Sequence, residues 1–400
     1  MCDTLCAIGP RGTLFGKNSD RPPNEVQLIE PFVARSGGGR LRTQYLALDD
    51  LGACALLGSR PDWLWGFEHG INEHRVAIGN EKVYTIDDPF AQPQGLIGMD
   101  LVRLGLERGR TADDALDWMV SMLERHGQGG VASRQGNEPY FSSFLIADPH
   151  RAWVLETSAR TWVAEPVMEA AAVSNRLTVR KGYTRSSDDV PPGADWDAWR
   201  SSDAPTGHAD VRLASSRACL ARHPTSLTPR DFAAHLRDHG DGPWGAPGSG
   251  RLGIRPLPEE ALPDRTGVSV CMHVRRYQNT TSSMIADLPA DPDAPARAWV
   301  APGSPCASVF IPLFPPLAVP AALGEPEVWR RFAALRVRVE RDGDALFEVR
   351  AAFGPLEAEL WAEADAIAEQ PGEYRAFVEE AWARVEEALR QVEELTAATR

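Results

Sequence analysis

Cys2-Asp3-Thr4-Leu5-Cys6-Ala7-Ile8-Gly9-Pro10-Arg11-Gly12-Thr13-Leu14-Phe15-Gly16-Lys17-Asn18-Ser19-Asp20-Arg21-Pro22-Pro23 is the stretch from which the architecture is read. Thr4 to Ile8 is a short strand-like run, Gly9-Pro10-Arg11-Gly12 carries turn chemistry, and Thr13-Leu14-Phe15 resumes strand character. Proline fixes φ and the flanking glycines admit positive φ, so the segment reads as a β-hairpin. Its second arm runs into a polar, proline-terminated cluster from Gly16 to Pro23. The hairpin carries that cluster back beside Cys2, and a polar cluster at a strand end is a common place for a site.

Short strands are expected next at Gln44–Leu48, Ala53–Leu57 and Val76–Asn80, with Arg60-Pro61-Asp62-Trp63-Leu64-Trp65-Gly66 between them. A helix follows over Leu96–Glu107, with Leu101, Leu104 and Gly105 inward and Asp100 and Arg103 exposed. Thr111 N-caps a second helix, with Asp114 three residues on. Its apolar set is Leu116, Met119, Val120 and Leu123, at i, i+3, i+4 and i+7. Gly127-Gln128-Gly129-Gly130 stops it, and strands return at Phe144–Ala147, Ala152–Thr157, Trp162–Ala164 and Ala171–Ser174. Strands, two helices, then strands imply an α+β fold with helices packed on antiparallel sheets, not an alternating βαβ fold. Residues 183–212 and 240–265, rich in Pro, Gly, Asp and Ser, read as loops. From Pro326 the chain is helical and acidic, with Phe377, Ala381, Val385, Leu389 and Val392 as an apolar stripe. We therefore divide the chain into a body, 1–320, and an acidic helical region, 326–400, packed on it. The stripe serves equally a cap on the body or a subunit interface, so a homo-oligomer is among the expectations.

The chain has 400 residues, with 42 Lys and Arg against 56 Asp and Glu, a formal net charge of -14. That balance argues against nucleic acid as a partner. No stretch approaches the ~18–20 apolar residues of a membrane span, and no secretory signal is visible, so a cytoplasmic location is expected. Six cysteines (Cys2, Cys6, Cys54, Cys219, Cys271, Cys306) are too sparse for a disulfide scaffold, and no C-x-x-C pair is present. Glu68-His69-Gly70-Ile71-Asn72-Glu73-His74 lacks the i, i+4 His spacing of H-E-x-x-H. Glycine-rich phosphate loops and G-x-S-x-G elbows are absent from the sequence. Cys271-Met272-His273 lies on an apparent strand and reads as core or as a site wall rather than as a dyad. No metal or organic cofactor is expected.

Cys2 is the most informative residue. A small side chain after Met1 permits removal of the initiator, which leaves Cys2 with a free α-amine. Such an amine has a pKa of ~7.7–8.0, so a useful fraction is neutral at neutral pH and can act as a base. The thiol, at ~8.5, is a strong nucleophile as thiolate. One residue then supplies nucleophile and base together. The bland alternative is an ordinary residue at a frayed end. Lys17 and Asp20, returned by the hairpin, read either as a cation and a carboxylate beside that amine and thiol or as a solvated turn.

Cys2-Asp3-Thr4, Phe15 to Pro22, Ser59 to Gly66, Gly70-Ile71-Asn72-Glu73-His74, Gly98 to Leu104 and Ala152 to Thr157 resemble the secernins of the cysteine dipeptidase family. The resemblance is dense over residues 1–180 and thins after about residue 220. It implies an N-terminal-nucleophile (Ntn) hydrolase fold, a four-layer αββα sandwich of two antiparallel sheets, here with a C-terminal helical extension. It implies Cys2 as nucleophile. Motifs of the wider superfamily, which includes penicillin V acylases and bile-salt hydrolases, extend the assignment. Gly16-Lys17-Asn18-Ser19-Asp20 resembles their Gly-Arg-Asn-x-Asp, which implies Asp20 beside the amine; Lys17 replaces their Arg fork with a point charge. Asn80 matches their oxyanion-hole Asn, Ser174-Asn175-Arg176 a second Asn motif, and Ser215-Ser216-Arg217 a Ser-Ser-Arg motif. The implied catalytic set is Cys2, Asp20, Asn80, Asn175 and Arg217. Lys17, Asn18, Trp63 and Trp65 are expected at the substrate. The implied activity is cleavage of amide bonds in dipeptides or small peptides through a thioester. An N-acyl amide or lactam substrate, or a non-hydrolytic regulatory role, remains as an alternative.

Overall fold

The computed structural model describes residues 1–222, 224–240, 267–274, 277–316, 318–341 and 344–398. The opening hairpin is present and longer than expected. Its arms, β1 (Cys2–Gly9) and β2 (Gly12–Arg21), pair from Cys2 opposite Ser19 to Gly9 opposite Gly12. Gly12 is obligatory at the turn. Its φ is +127°, and a Cβ there would meet Leu288 O at 2.1 Å.

The hairpin lies in the middle of a seven-stranded antiparallel sheet. Its order is β14 (Ala170–Val173), β1, β2, β17 (Gln278–Pro289), β18 (Arg297–Pro302) and β19 (Ile311–Leu313), with β16 (His273–Val274) beside β17. A second, eight-stranded antiparallel sheet runs β15 (Arg185–Ser186), β13 (Thr161–Val167), β12 (Ala152–Ser158), β11 (Phe141–Ala147), β8 (Ala77–Val83), β7 (His69–Asn72), β6 (Leu56–Pro61), β3 (Gln27–Phe32). Two ribbons, β4 (Arg40–Arg42) with β5 (Ala47–Asp49) and β9 (Val131–Ser133) with β10 (Glu138–Pro139), stand outside both sheets.

Apolar side chains of the two sheets, among them Cys6, Phe15, Met284, Leu57, Ile71 and Leu145, meet in one core between them. The outer face of the eight-stranded sheet is covered by α1 (Gly98–Arg108) and α2 (Ala112–His126), through Leu101, Leu104, Leu116 and Met119 against Ile78, Phe144 and Leu155. The outer face of the other sheet is covered by α3 (Thr206–Leu220) and α4 (Pro229–Leu236), through Leu213, Leu220, Phe232 and Leu236 against Leu5, Leu14 and Ile285. The layer order is therefore αββα. Three further helices, α5 (Pro326–Arg341), α6 (Asp344–Ala366) and α7 (Tyr374–Ala398), pack against β19, β18 and β3. Phe332, Val339, Phe353 and the stripe residues Ala381, Val385, Leu389 and Val392 are buried and join the core between the sheets.

Several expectations are corrected. Of Gln44–Leu48 only Ala47 and Leu48 are strand, and the strand expected from Ala53 starts at Leu56. Asp100 and Arg103 are buried, not exposed. Asp100 accepts from Ile97 N at 3.2 Å at the head of α1, and Arg103 pairs with Glu107 at 3.0 Å beneath the Phe32, Trp65 and Phe67 rings. The loop expected over 183–212 contains β15, a 3-10 turn at Trp196–Trp199 and the first two turns of α3. Residues 241–265 of the second expected loop lie outside the described residues.

Candidate active site

Cys2 begins β1, between β14 and β2, and is 5% exposed. Its backbone nitrogen donates to Asn175 Oδ1 at 2.9 Å, and its carbonyl accepts from Arg212 Nη1 at 2.9 Å. Its Sγ accepts from the Asp20 backbone N–H at 3.4 Å and lies 3.9 Å from Glu68 Oε2. The Asn80 amide, turned with its nitrogen toward Glu68, donates to Glu68 O at 3.0 Å and to Glu68 Oε2 at 3.1 Å. One carboxylate oxygen therefore stands between an amide donor and the thiol. Arg21 holds the other oxygen of Glu68 at 3.0 Å, and Arg21 is fixed in turn by Glu25 at 2.7 Å, Tyr140 Oη at 3.2 Å and Ala132 O at 3.0 Å.

Alternation along β2 divides its polar residues between two faces. Lys17 points between the sheets. Its Nζ donates to Asn80 O at 2.6 Å and to Glu81 Oε1 at 3.1 Å. Gly79 makes room for it, since a Cβ there would meet Lys17 Cδ at 2.5 Å. Asn18 points the other way, donating to Leu236 O at 2.9 Å and Val270 O at 2.8 Å. Asp20 Oδ1 accepts from Thr280 Oγ1 at 2.7 Å, and Asp20 Oδ2 lies 3.8 Å from Arg212.

Burial pushes the Cys2 thiol up to about 11, against the downward pull of the Lys17 ammonium and the chain's own amine. Burial likewise pushes the Asp20 carboxyl up to about 7, opposed by the N-terminal ammonium and Arg212. Glu81 is pushed up to about 7 by the same cause, against Lys17.

Met1 is in place in this structure. Its ammonium donates to Asp20 O at 3.1 Å and to Gln278 Oε1. Beside it lies a cavity of about 20 Å³ lined by Met1, Cys2, Asp20, Glu68, Asn80 and Lys82, among others. Such a space holds about one water.

The structure brings Cys2, Asp20, Asn80 and Asn175 together. Arg217 it does not: this residue is exposed on the outer face of α3. The buried arginine one and a half turns earlier, Arg212, reaches Cys2, Asp3 and Asn175 instead. Lys17 and Asn18 are buried behind the cavity and do not line it. Trp65 lies under Arg103 on the α1 side, 4.3 Å from its guanidinium. Trp63 does not line the cavity; it donates to Glu25, which holds Arg21 there, and packs against the cluster that includes Tyr140. Glu68, Arg21, Tyr140 and Arg212 were not anticipated. The helical phase of α3, in which Arg212 shares a buried face with His208, Ala209, Leu213 and Ser216, was the signal available for Arg212.

Comparison with protein-family models finds no match. Among solved structures the chain is similar to a Caenorhabditis elegans ortholog of N-acylethanolamine-hydrolyzing acid amidase, at 13% identity and a TM-score of 0.41, over 73% of this chain and 94% of that one. It is similar to a variant of conjugated bile acid hydrolase from Clostridium perfringens at 13% identity and a TM-score of 0.42, over 74% and 88%. Penicillin V acylase from Agrobacterium tumefaciens aligns at 11% identity and a TM-score of 0.39, over 78% and 86%. No helix among the described residues is long and apolar enough to cross a membrane.

Proposed function

We propose that the protein is an N-terminal-nucleophile cysteine hydrolase of the secernin and cysteine dipeptidase type, which cleaves the amide bond of dipeptides or small peptides. The observation that carries the reading is the placement of Cys2. Its nitrogen and its thiol both face polar partners, Asn175 and the Asn80–Glu68 pair, beside a cavity that Met1 narrows. Removal of Met1 frees the amine and enlarges the cavity in one step.

The Cys2 amine then takes the thiol proton, and the thiolate attacks the substrate carbonyl. The oxyanion accepts from the Asn80 amide, where Glu68 Oε2 now sits; a single such donor was worth ~10²–10³ in kcat in a studied precedent. The protonated amine gives its proton to the leaving nitrogen, a thioester remains, and water attacks it with the amine again as base. Asn175 and Arg212 hold the nucleophile's backbone, and Asp20 faces the ammonium. Arg21, Glu68, Lys82 and Glu138 line the cavity, and such charges suit the termini of a small peptide better than an acyl chain.

Intact mass and N-terminal peptide analysis, followed by a dipeptide and acyl-amide panel with the parent and Cys2→Ala, test this. A chain beginning at unmodified Cys2 that turns over dipeptides, with Cys2→Ala inert and equally stable, is expected. Met1 retained in the active protein, or undiminished turnover by Cys2→Ala, overturns the mechanism. Turnover of acyl amides alone reassigns the substrate to the acylase class.

A further inference from the structure

Cys271 and His273, expected in the core or as a site wall, do not stand alone. They converge with His239, from the segment after α4, and Cys306, from the turn between β18 and β19. One ligand-type atom of each of the four lies within 4.8 Å of the others. His273 Nε2 is 3.4 Å from Cys271 Sγ and 3.4 Å from Cys306 Sγ. Cys271, His273 and Cys306 are buried and His239 is half-buried. From this convergence we propose that His239, Cys271, His273 and Cys306 form a structural Zn²⁺ site, separate from the Cys2 centre.

The geometry fits this ion closely. Zn–S of ~2.3 Å and Zn–N of ~2.0–2.1 Å in a tetrahedron require a sulfur–nitrogen separation of roughly 3.6 Å. Both separations at His273 need to open by only a few tenths of an ångström. Two thiolates and two imidazoles are the donor set that selects zinc over the oxygen-seeking cations. All four positions come from the protein, so the site is closed, as structural zinc sites are.

The surroundings of His273 match a metal ligand. Its Nδ1 is 2.9 Å from Glu340 Oε1 on α5, which fixes Nδ1 as the protonated nitrogen and turns the Nε2 lone pair inward. Glu340 is held in turn by Asn279 Nδ2 at 2.9 Å and Arg336 Nη1 at 3.0 Å. The charges also close: two thiolates neutralise the divalent ion, and Arg336 neutralises Glu340. On binding, the two thiol protons leave to solvent and two Zn–S and two Zn–N bonds form.

The site is mechanically joined to the Cys2 centre. Met272, between two of the ligands, donates its N–H to Thr280 Oγ1 at 2.9 Å and accepts from Thr280 N at 3.1 Å. The same hydroxyl donates to Asp20 at 2.7 Å. Zinc would thus fix the strand segment that orients Asp20, while touching no substrate. It would also clasp α4 to β16, whose ligands stand either side of residues 241–266 in the sequence.

Protein produced in zinc-sufficient medium and purified under reducing conditions should carry one zinc per chain by elemental mass spectrometry. His239→Ala and Cys306→Ser should lose it, while Cys2→Ala and Cys54→Ser keep it, so the result is independent of the hydrolase reading. Where a ligand variant fails to fold, the parent decides. Zinc stripped by a chelator and replaced with cobalt(II) should give the visible bands of a tetrahedral site and a thiolate-to-cobalt charge-transfer band. Absence of stoichiometric metal together with no cobalt spectrum overturns the proposal. So does a Cys271–Cys306 disulfide in the reduced preparation, or zinc retained in both ligand variants.

Discussion

Arg212→Met keeps most of the side chain's length and removes its charge. The guanidinium is fully buried, pairs with Asp3, and donates to Cys2 O at 2.9 Å and Asn175 Oδ1 at 2.6 Å. Asp20 Oδ2 is 3.8 Å away. Without it the Asp3 carboxylate, 1% exposed, loses its ion-pair partner. Removing one partner of a buried ion pair costs about 3–5 kcal/mol, roughly a fifth or more of the ~5–15 kcal/mol by which domains are stable. Arg217→Ala removes an exposed charge from the outer face of the same helix and should stay within ~0.5 kcal/mol of the parent. Urea unfolding at neutral pH, followed by circular dichroism, measures both. Asp3→Asn combined with Arg212→Met should recover part of the loss, because the stranded charge is then gone. Arg212→Met within ~0.5 kcal/mol of the parent, or Arg217→Ala equally costly, would refute the assignment of Arg212 as the arginine that supports Cys2.

Two further outcomes are expected. Glu68 raises the Cys2 thiol's pKa and Lys17 lowers it, so Glu68→Gln should move the pH profile of Cys2 alkylation to lower pH and Lys17→Met to higher pH. Peptide mass spectrometry after timed iodoacetamide exposure reads this, and an unmoved profile in both variants would sink the electrostatic account. Glu156 is buried in β12, accepts from Thr178 N at 2.6 Å and Oγ1 at 2.9 Å, and is pushed by burial from 4.5 up to about 7. The folded state then holds a proton that the unfolded state has released. Its contribution to stability is complete below about pH 4.5 and is lost as pH rises to about 7. The slope is ~1.4 kcal/mol per pH unit in that window. Glu156→Gln should flatten the urea-derived stability profile there by that amount, and an unchanged slope contradicts the shift.

The parts of the fold set by local chemistry were legible in the sequence. The Gly9–Gly12 turn, the Thr111 cap, whose side chain accepts from Asp114 N at 3.1 Å, and the Phe377–Val392 stripe all act within a few residues of themselves. Phase was harder. Arg217 was taken from the resemblance of Ser215-Ser216-Arg217 to a Ser-Ser-Arg motif, and with 183–212 read as loop no helical phase was available to bring the buried Arg212 into view. Trp65 and Arg103 illustrate the same limit, since stacking buries a cation that helix periodicity alone assigns to solvent. Glu68 and the four-residue cysteine–histidine cluster were illegible for a different reason. Glu68 stands 66 residues from Cys2 in sequence, and His239, Cys271, His273 and Cys306 keep no recognised ligand spacing. Only sheet pairing and helix docking bring such residues together.

The seam around Cys2 is short of positive charge, and that shortage bears on how the proposed mechanism would titrate. Lys17, Arg21 and Arg212, three cations, face five carboxyls, those of Asp3, Asp20, Glu25, Glu68 and Glu81. Fully ionised, these eight groups leave two net negative charges in a buried place, which a low-dielectric interior resists. Burial pushes both Asp20 and Glu81 up to about 7, and a proton on either relieves part of that excess. The Met1 ammonium is a fourth cation, 3.1 Å from Asp20 O. Removing Met1 does not discard this charge but moves it one residue inward, onto the Cys2 nitrogen. There the surplus carboxylates favour the ammonium, while burial favours the neutral amine that the mechanism needs as base. The proton on that amine and the proton on Asp20 then compete for one deficit. In the proposed mechanism the two would titrate as a coupled pair, so the ascending limb of a pH–rate profile would belong to the pair and to neither residue alone.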